Sequence, residues 1–234
     1  MNRTLQTVAV VPAKKRSVRV PGKNLKPLRG KPLLYYAVRV GQLAHLVDQV
    51  FVSTDCDLTA DVARQFGATV IPRPAALAQD DTTTHAVLVH AYNWMGENGF
   101  GSPPHLLLLQ ATNPLRFPET LDAAVRSLQS DPTYDSLVSV KEVRDAWGRL
   151  DGERFLPAYE LPSPKRGRAP IYFMTHNLYL FRTATTMARD VFLGERIKAF
   201  LETELYEVDI NTQADFDYAE YLLEKHARRF SFFW

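Results

Sequence analysis

Apolar residues in this chain come in short runs that alternate with amphipathic stretches. Thr7 to Val11 is a continuous apolar run closed by Pro12, a pattern that predicts a strand buried on both faces. From Pro32 to Ala44, Leu33, Leu34, Ala37, Val38 and Gly41 recur at helical spacing and predict a helix. The alternation continues with a strand at Gln49 to Ser53, a helix at Leu58 to Phe66 and a short strand at Thr69 to Ile71. Gly67 follows that helix, as suits the left-handed residue past a helix end. Further along, the pattern predicts a helix at Thr84 to Met95, a strand at His105 to Leu109, a helix at Pro118 to Leu128 and a strand at Ser136 to Val143. Strands are also expected at Asn177 to Phe181 and near Leu205 to Ile210, then a helix from Thr212 to about Arg229. Strands alternating with helices imply an α/β fold: a mostly parallel sheet covered on both faces.

One stretch breaks the rhythm. Arg144 to Met174 carries Gly, Pro, Arg and aromatic residues without periodicity and is too long for an ordinary connection. It reads as an excursion with hairpin-like pieces inside one domain spanning residues 1–234. Its aromatics (Trp147, Phe155, Tyr159, Tyr172 and Phe173) suggest a contact surface. So does the apolar end Phe230-Ser231-Phe232-Phe233-Trp234, which would otherwise meet water.

Composition narrows the class. Of 234 residues, 46% are hydrophobic, enough for a sizeable core. A net charge of +2 lacks the strong basic excess of a nucleic-acid-binding domain. No apolar stretch approaches the roughly 20 residues that span a membrane, and Val8 to Val11 is too short for a secretory leader's core. Cys56, the lone cysteine, excludes an internal disulfide and any cysteine-based zinc site, and is compatible with a reducing cytoplasm, the expected location.

Ligands of open parallel sheets bind at the carboxyl ends of the strands. Four predicted strands end in polar segments: Pro12 to Ser17, Ser53-Thr54-Asp55, Gln110 to Arg116, and Asp209-Ile210-Asn211. The first loop carries Lys14, Lys15, Arg16, Arg19 and Lys23, with Ser17, Gly22 and Asn24 between them. Several cations and many backbone N–H groups on one loop suit a triphosphate. Gly22-Lys23-Asn24 is not a Walker A loop, and no G-x-G-x-x-G is present.

Val11-Pro12-Ala13-Lys14-Lys15-Arg16-Ser17, continuing to Lys23-Asn24, resembles the I-P-A-R-x-x-S-K-x-x-x-x-K-N loop of the acylneuraminate (CMP-sialic acid, or CMP-nonulosonate) cytidylyltransferases. Val52-Ser53-Thr54-Asp55 resembles that family's V-S-T-D, Arg73 to Ala78 its R-P-x-x-L-A, Leu109 to Arg116 its L-Q-P-T-S-P-L-R, and Val208 to Thr212 its I-D-I-D-T. The segments lie in the family's order along nearly the whole chain. Lys14 stands where the family has Arg, Val18 where it has Lys, and Asn211 where it has a second Asp. Thr175-His176-Asn177-Leu178-Tyr179 falls around the family's N-G-A-I-Y, without a unique alignment.

The resemblance implies a three-layer, Rossmann-like nucleotidyltransferase fold with residues 144–174 as an inserted dimerisation excursion. It implies transfer of CMP from CTP to the anomeric hydroxyl of an acidic sugar of the sialic, legionaminic, pseudaminic or Kdn type, with release of pyrophosphate. Lys14, Ser17, Lys23 and Asn24 would hold the triphosphate, helped by Lys15 and Arg19. Ala13 would approach the base, and Thr83 or Thr84 would contact the nucleotide. Asp209, with Asn211 as a weaker partner, would ligate Mg²⁺ or Mn²⁺. Gln110, Arg166, Arg168, Phe192 and Leu193 would face the sugar, and the chain would form a homodimer.

Plainer readings stand beside these. Lys23 is otherwise a surface lysine, and Thr83 and Asn211 are otherwise helix caps. Phe192 and Leu193 are otherwise core residues, and Arg116 a structural ion pair. Asp55-Cys56-Asp57 has the form of a metal-binding D-x-D but sits inside the V-S-T-D match, so it reads as a decoy. Alternative functions are a synthetase for Kdo or another acid sugar, another nucleotide donor, or a non-catalytic nucleotide-binding domain.

Overall fold

The computed structural model describes residues 4–17, 19–159, 169–202 and 206–234. Val8 to Val11 are fully buried, as a continuous apolar run requires. They belong to β1 (Thr7–Pro12), an interior strand of a seven-stranded sheet. On one side of β1 lie β4 (Gln49–Thr54) and then β5 (Thr69–Pro72). On the other lie β6 (His105–Leu108), β10 (Ile171–Arg182), β7 (Ser136–Val143) and β11 (Ile197–Leu201), in that spatial order. β10 alone runs against the other six.

Alternate side chains of β1 feed two apolar layers. Ala9 and Val11 pack with α1 (Leu33–Leu43), α2 (Asp57–Gln65), α4 (Pro118–Gln129) and α5 (Gln213–Lys225). Val8 and Val10 pack with α3 (Thr84–Glu97) and Met187 on the opposite face. Helices on both faces of a mostly parallel sheet make the three-layer α/β architecture expected from the alternation. Gly41 lets α1 sit close on the sheet: a Cβ there would lie 2.9 Å from Val50 Cγ2 and 3.2 Å from Leu109 Cδ1.

The structure differs from the expected elements in three places. Tyr206 to Ile210 is not a strand. Its alternating burial is real, but its partner is a loop: Ile210 N–H donates to Thr112 O (2.8 Å), and Asn113 Nδ2 donates to Val208 O (3.1 Å). The last strand is instead β11, which escapes a hydrophobic pattern because none of its residues is buried at the sheet edge. The C-terminal aromatics do not wait for a partner. Phe230 and Phe233 are fully buried, Phe230 stacks on Phe117 (5.2 Å), and Phe233 packs edge-on against Tyr36 (4.8 Å).

Residues 144–174 include the expected hairpin, β8 (Gly148–Asp151) with β9 (Arg154–Pro157). The rest of the described excursion extends the pairing of β7 and β10, from Val143↔Ile171 to Val140↔Met174. A short hairpin, β2 (Pro27–Leu28) with β3 (Lys31–Pro32), links the first loop to α1. Among the described residues no helix is long and apolar enough to cross a membrane.

Phe233→Ala should cost about 3–5 kcal/mol in urea denaturation, the usual range for emptying a buried aromatic site. Trp234→Ala, at a half-exposed position, should cost far less. Equal effects of the two would contradict the internal role of this end.

Candidate active site

Hydrogen bonds within the chain shape the loop after β1. Ala13 N–H donates to Ser53 O (2.9 Å), which continues the β1–β4 pairing, and Lys15 N–H donates to Asp55 Oδ1 (2.7 Å). Asn24 Nδ2 donates to Lys14 O (3.0 Å), folding the far end of the loop onto its start. Gly22 takes φ +66°, a left-handed conformation that glycine adopts without penalty, and starts the short 3₁₀ turn Lys23–Leu25. Lys23 Nζ then reaches Ile210 O at 2.8 Å, across 187 residues of chain. Burial lowers the pKa of Lys23, Asp209 opposes that shift, and Arg19 adds to it.

These groups border a cleft of about 460 Å³ at the carboxyl edge of β1. Lys14, Arg16, Ser17, Arg19, Lys23 and Asn24 line it, with Thr112 and Asp80. Asp80 was not anticipated from the sequence. It pairs with Lys14 (2.8 Å) and Arg16 (3.4 Å), and the hydrogen bond from Lys14 is the main cause holding its carboxyl below the usual range. An adjoining cavity of about 160 Å³ shares Pro12 and Lys14 and is also lined by Arg73, Gln79, Thr82 and Thr84. Arg73 is buried and donates to Ser53 Oγ (3.1 Å) and Ser53 O (2.6 Å). Burial pushes its pKa down to about 10, so it stays charged at neutral pH. Thr83 caps α3, accepting from Ala86 N–H (3.2 Å), while Thr84 faces the cavity.

Asp209 is exposed and lies near Lys23. Asn211 Nδ2 donates to Asp209 Oδ2 at 2.7 Å. Helix capping is done by the next residue: Thr212 and Asp215 form a reciprocal capping box at the start of α5, and Asp215 also accepts from Asn211 N–H (2.8 Å). Among the described residues no group of three His, Cys, Asp or Glu side chains gathers to hold a metal ion. Asp55 accepts from the loop backbone through Oδ1.

The opposite end of the edge is built around Arg116, which is fully buried. It is no ion pair. Nε donates to Asn177 O (2.5 Å), and Nη1 donates to Gln110 O (3.0 Å) and to Asn113 O, while Nη2 has no partner among the described residues. Burial pushes its pKa down to about 9, with Glu202 and Asp209 opposing, so the guanidinium remains charged. Half-buried Gln110 is thereby tied to an irregularity in β10 between Met174 and Tyr179. Within it His176 takes φ +57°. Phe192 lies beside Tyr179 (6.1 Å), Phe181 (5.5 Å) and His85 (5.8 Å). Leu193 is half-buried and its carbonyl accepts from Ser136 Oγ (2.6 Å). Val18, Arg166 and Arg168 lie outside the described residues.

The site thus has a cationic cleft at one end and an aromatic and amide-bearing end at the other. Comparison with known proteins accords with the loop motif. The sequence model described as "Cytidylyltransferase" matches residues 8–233. The chain belongs to the cytidylyltransferase family. It is 32% identical over 230 residues to the CMP-N,N'-diacetyllegionaminic acid synthase of Legionella pneumophila, covering 94% of this chain and 97% of that protein. It is 25% identical over 227 residues to an N-acylneuraminate cytidylyltransferase of Escherichia coli, covering 95% of this chain and 53% of that protein. The chain therefore spans about half the length of that longer relative. Its fold is similar to that of CMP:2-keto-3-deoxy-manno-octonic acid synthetase solved with CTP, with TM-score 0.67, 18% identity, and 94% and 99% of the two chains covered. It is equally similar to 4-diphosphocytidyl-2C-methyl-D-erythritol synthase, with TM-score 0.68, 11% identity, and the same coverages.

Arg116→Lys should destabilise the protein by at least about 3 kcal/mol in urea denaturation. An ammonium cannot reach three carbonyls held in the guanidinium's plane, and each buried charged hydrogen bond lost costs about 1.5–3 kcal/mol.

Proposed function

We propose that this cytidylyltransferase transfers CMP from CTP to the anomeric hydroxyl of a nonulosonic acid, releasing pyrophosphate. The observation that carries the reading is the cationic cleft on the first loop, 32% identity over nearly full length to a CMP-N,N'-diacetyllegionaminic acid synthase standing beside it. Synthesis of a CMP-Kdo-type product is the second reading, favoured by the fold's similarity to the synthetase solved with CTP.

In this reading the triphosphate lies along Lys14, Lys15, Ser17, Arg19, Lys23 and Asn24. Backbone groups near Ala13 and the Thr84 side chain meet the nucleoside. The sugar sits between Gln110 and Phe192, with Leu193 behind it and Arg166 and Arg168 as candidate partners for its carboxylate. The sugar's hydroxyl oxygen bonds to the α-phosphorus as the bond to the oxygen bridging to the β-phosphate breaks, pyrophosphate leaves with that oxygen, and the hydroxyl proton passes to solvent. Lys23 stabilises the negative charge that builds on the departing pyrophosphate, and its part-buried ammonium is less screened by water there than on the surface.

A divalent metal fits the donor set through Asp209, an exposed carboxylate within the field of Lys23, with Asn211 orienting it or adding a neutral oxygen. One carboxylate plus phosphate oxygens is the usual donor set of Mg²⁺, which would neutralise phosphate charge and polarise the α-phosphate.

The exposed apolar residues of the excursion support a homodimer. Leu150 is 73% exposed, and Trp147, Phe155, Tyr172, Phe173 and Met174 are each about half exposed. A two-fold axis would bury this patch from both copies at once.

Lys23→Ala should lower kcat at least tenfold in a pyrophosphate-release assay with CTP and a panel of acid sugars, with the fold retained by circular dichroism. Asp209→Ala or excess EDTA should abolish release in the same assay. No release with any acid sugar by the unaltered protein would sink the reading. Light scattering at micromolar concentration should give twice the chain mass, and Leu150→Glu with Phe155→Glu should return the monomer.

A further inference from the structure

β10 pairs Tyr179 with Leu108, the last residue of β6, so the residues before Tyr179 lie beyond the carboxyl edge of that strand. There Arg116 joins the carbonyls of Asn177 and Gln110 through one guanidinium. His176 stands in this segment at φ +57°, a conformation that costs a non-glycine residue about 1–3 kcal/mol and persists only where its surroundings impose it. Those surroundings are visible. Thr175 on one side is buried and bonded to Ser139 Oγ (2.6 Å) and Glu202 Oε2 (2.9 Å). Asn177 on the other side is buried and donates to Glu202 Oε1 (2.7 Å). The two neighbours face inward and His176 is turned out to the surface.

The imidazole has a fixed partner. His176 Nδ1 lies 2.5 Å from the Tyr179 hydroxyl. Tyr179 is only 5% exposed, and its ring is held between Phe181 (6.4 Å) and Phe192 (6.1 Å). Burial, followed by the field of Asp209, raises the pKa of Tyr179, so its hydroxyl keeps its proton. With Nδ1 taken by the Tyr179 hydroxyl, Nε2 is the ring nitrogen left for another partner. The row Phe192, Tyr179, His176 therefore runs from apolar ring to an imidazole nitrogen.

We propose that His176 is a specificity-determining residue of the sugar end, held by Tyr179 and donating from Nε2 to an oxygen of the acid sugar. The proposal rests on the nonulosonate reading above. His176→Gly is the test, because glycine adopts φ +57° freely and the fold should survive. With CTP and the sugar that the unaltered enzyme uses best, the sugar KM should rise at least fivefold while the CTP KM stays within twofold. Tyr179→Phe should raise the sugar KM too, and the ¹⁵N spectrum of His176 should lose its single-tautomer signature. An unchanged sugar KM in His176→Gly, or an equal rise in both KM values, overturns the assignment. No turnover of any acid sugar by the unaltered enzyme overturns instead the nonulosonate reading on which it rests.

Discussion

A charged guanidinium without a carboxylate organises the working edge of this protein. Arg116 spends its hydrogen bonds on three backbone carbonyls, two from its own loop and one from the irregular turn in β10. Carbonyls beyond a strand end have no ladder to join, and leaving them unpaired in the interior would cost as much as a lost hydrogen bond each. One planar group with several donors solves this for two segments more than 60 residues apart in sequence. The same loop receives Ile210 through Thr112 O, and Ile210 O in turn receives Lys23. The Gln110–Arg116 loop, the turn in β10, the Asp209–Asn211 segment and Lys23 form one connected frame, placed by hydrogen bonds rather than by loose packing.

Charge is balanced within this frame in advance. Lys14 and Arg16 rest on Asp80, and Lys23 lies in the field of Asp209. Cations crowded on one loop would repel each other if left bare. Internal carboxylates hold them in position at modest energetic gain, because exposed pairs are screened by water. An arriving triphosphate offers more charge and more oxygens than a single carboxylate, so exchange favours the ligand.

Much of this was legible from residue order. The first loop, the strands β1, β4, β5, β6 and β7 and the five helices follow from hydrophobic period and from Gly and Pro placement, because those signals are local. Lys23, Asn24 and Ser17 were readable because the loop is contiguous, and its motif is long enough to be specific. Phe230 and Phe233 misled, since an apolar chain end looks the same whether it seeks a partner or closes its own core. β11 was invisible because its half-buried positions, Lys198 and Phe200, alternate with exposed Ile197, Ala199 and Leu201, so residue polarity does not follow burial. Val208 and Ile210 showed that contrast and yet pair with a loop, because alternating burial reports a covered face and not the identity of what covers it.

The sequence by itself determined the layer architecture, the edge of the sheet that carries the cationic cleft and the cytidylyltransferase motif on the first loop. All three rest on interactions between residues close in the chain. Tertiary structure alone decided that Asp80 faces Lys14, that Arg116 binds carbonyls instead of a carboxylate, and that Thr212 rather than Asn211 caps the last helix. It alone turned His176 outward beside Tyr179. Which donor meets which acceptor across 60 to 190 residues depends on the register of strands and the path of loops, and no local pattern encodes that register.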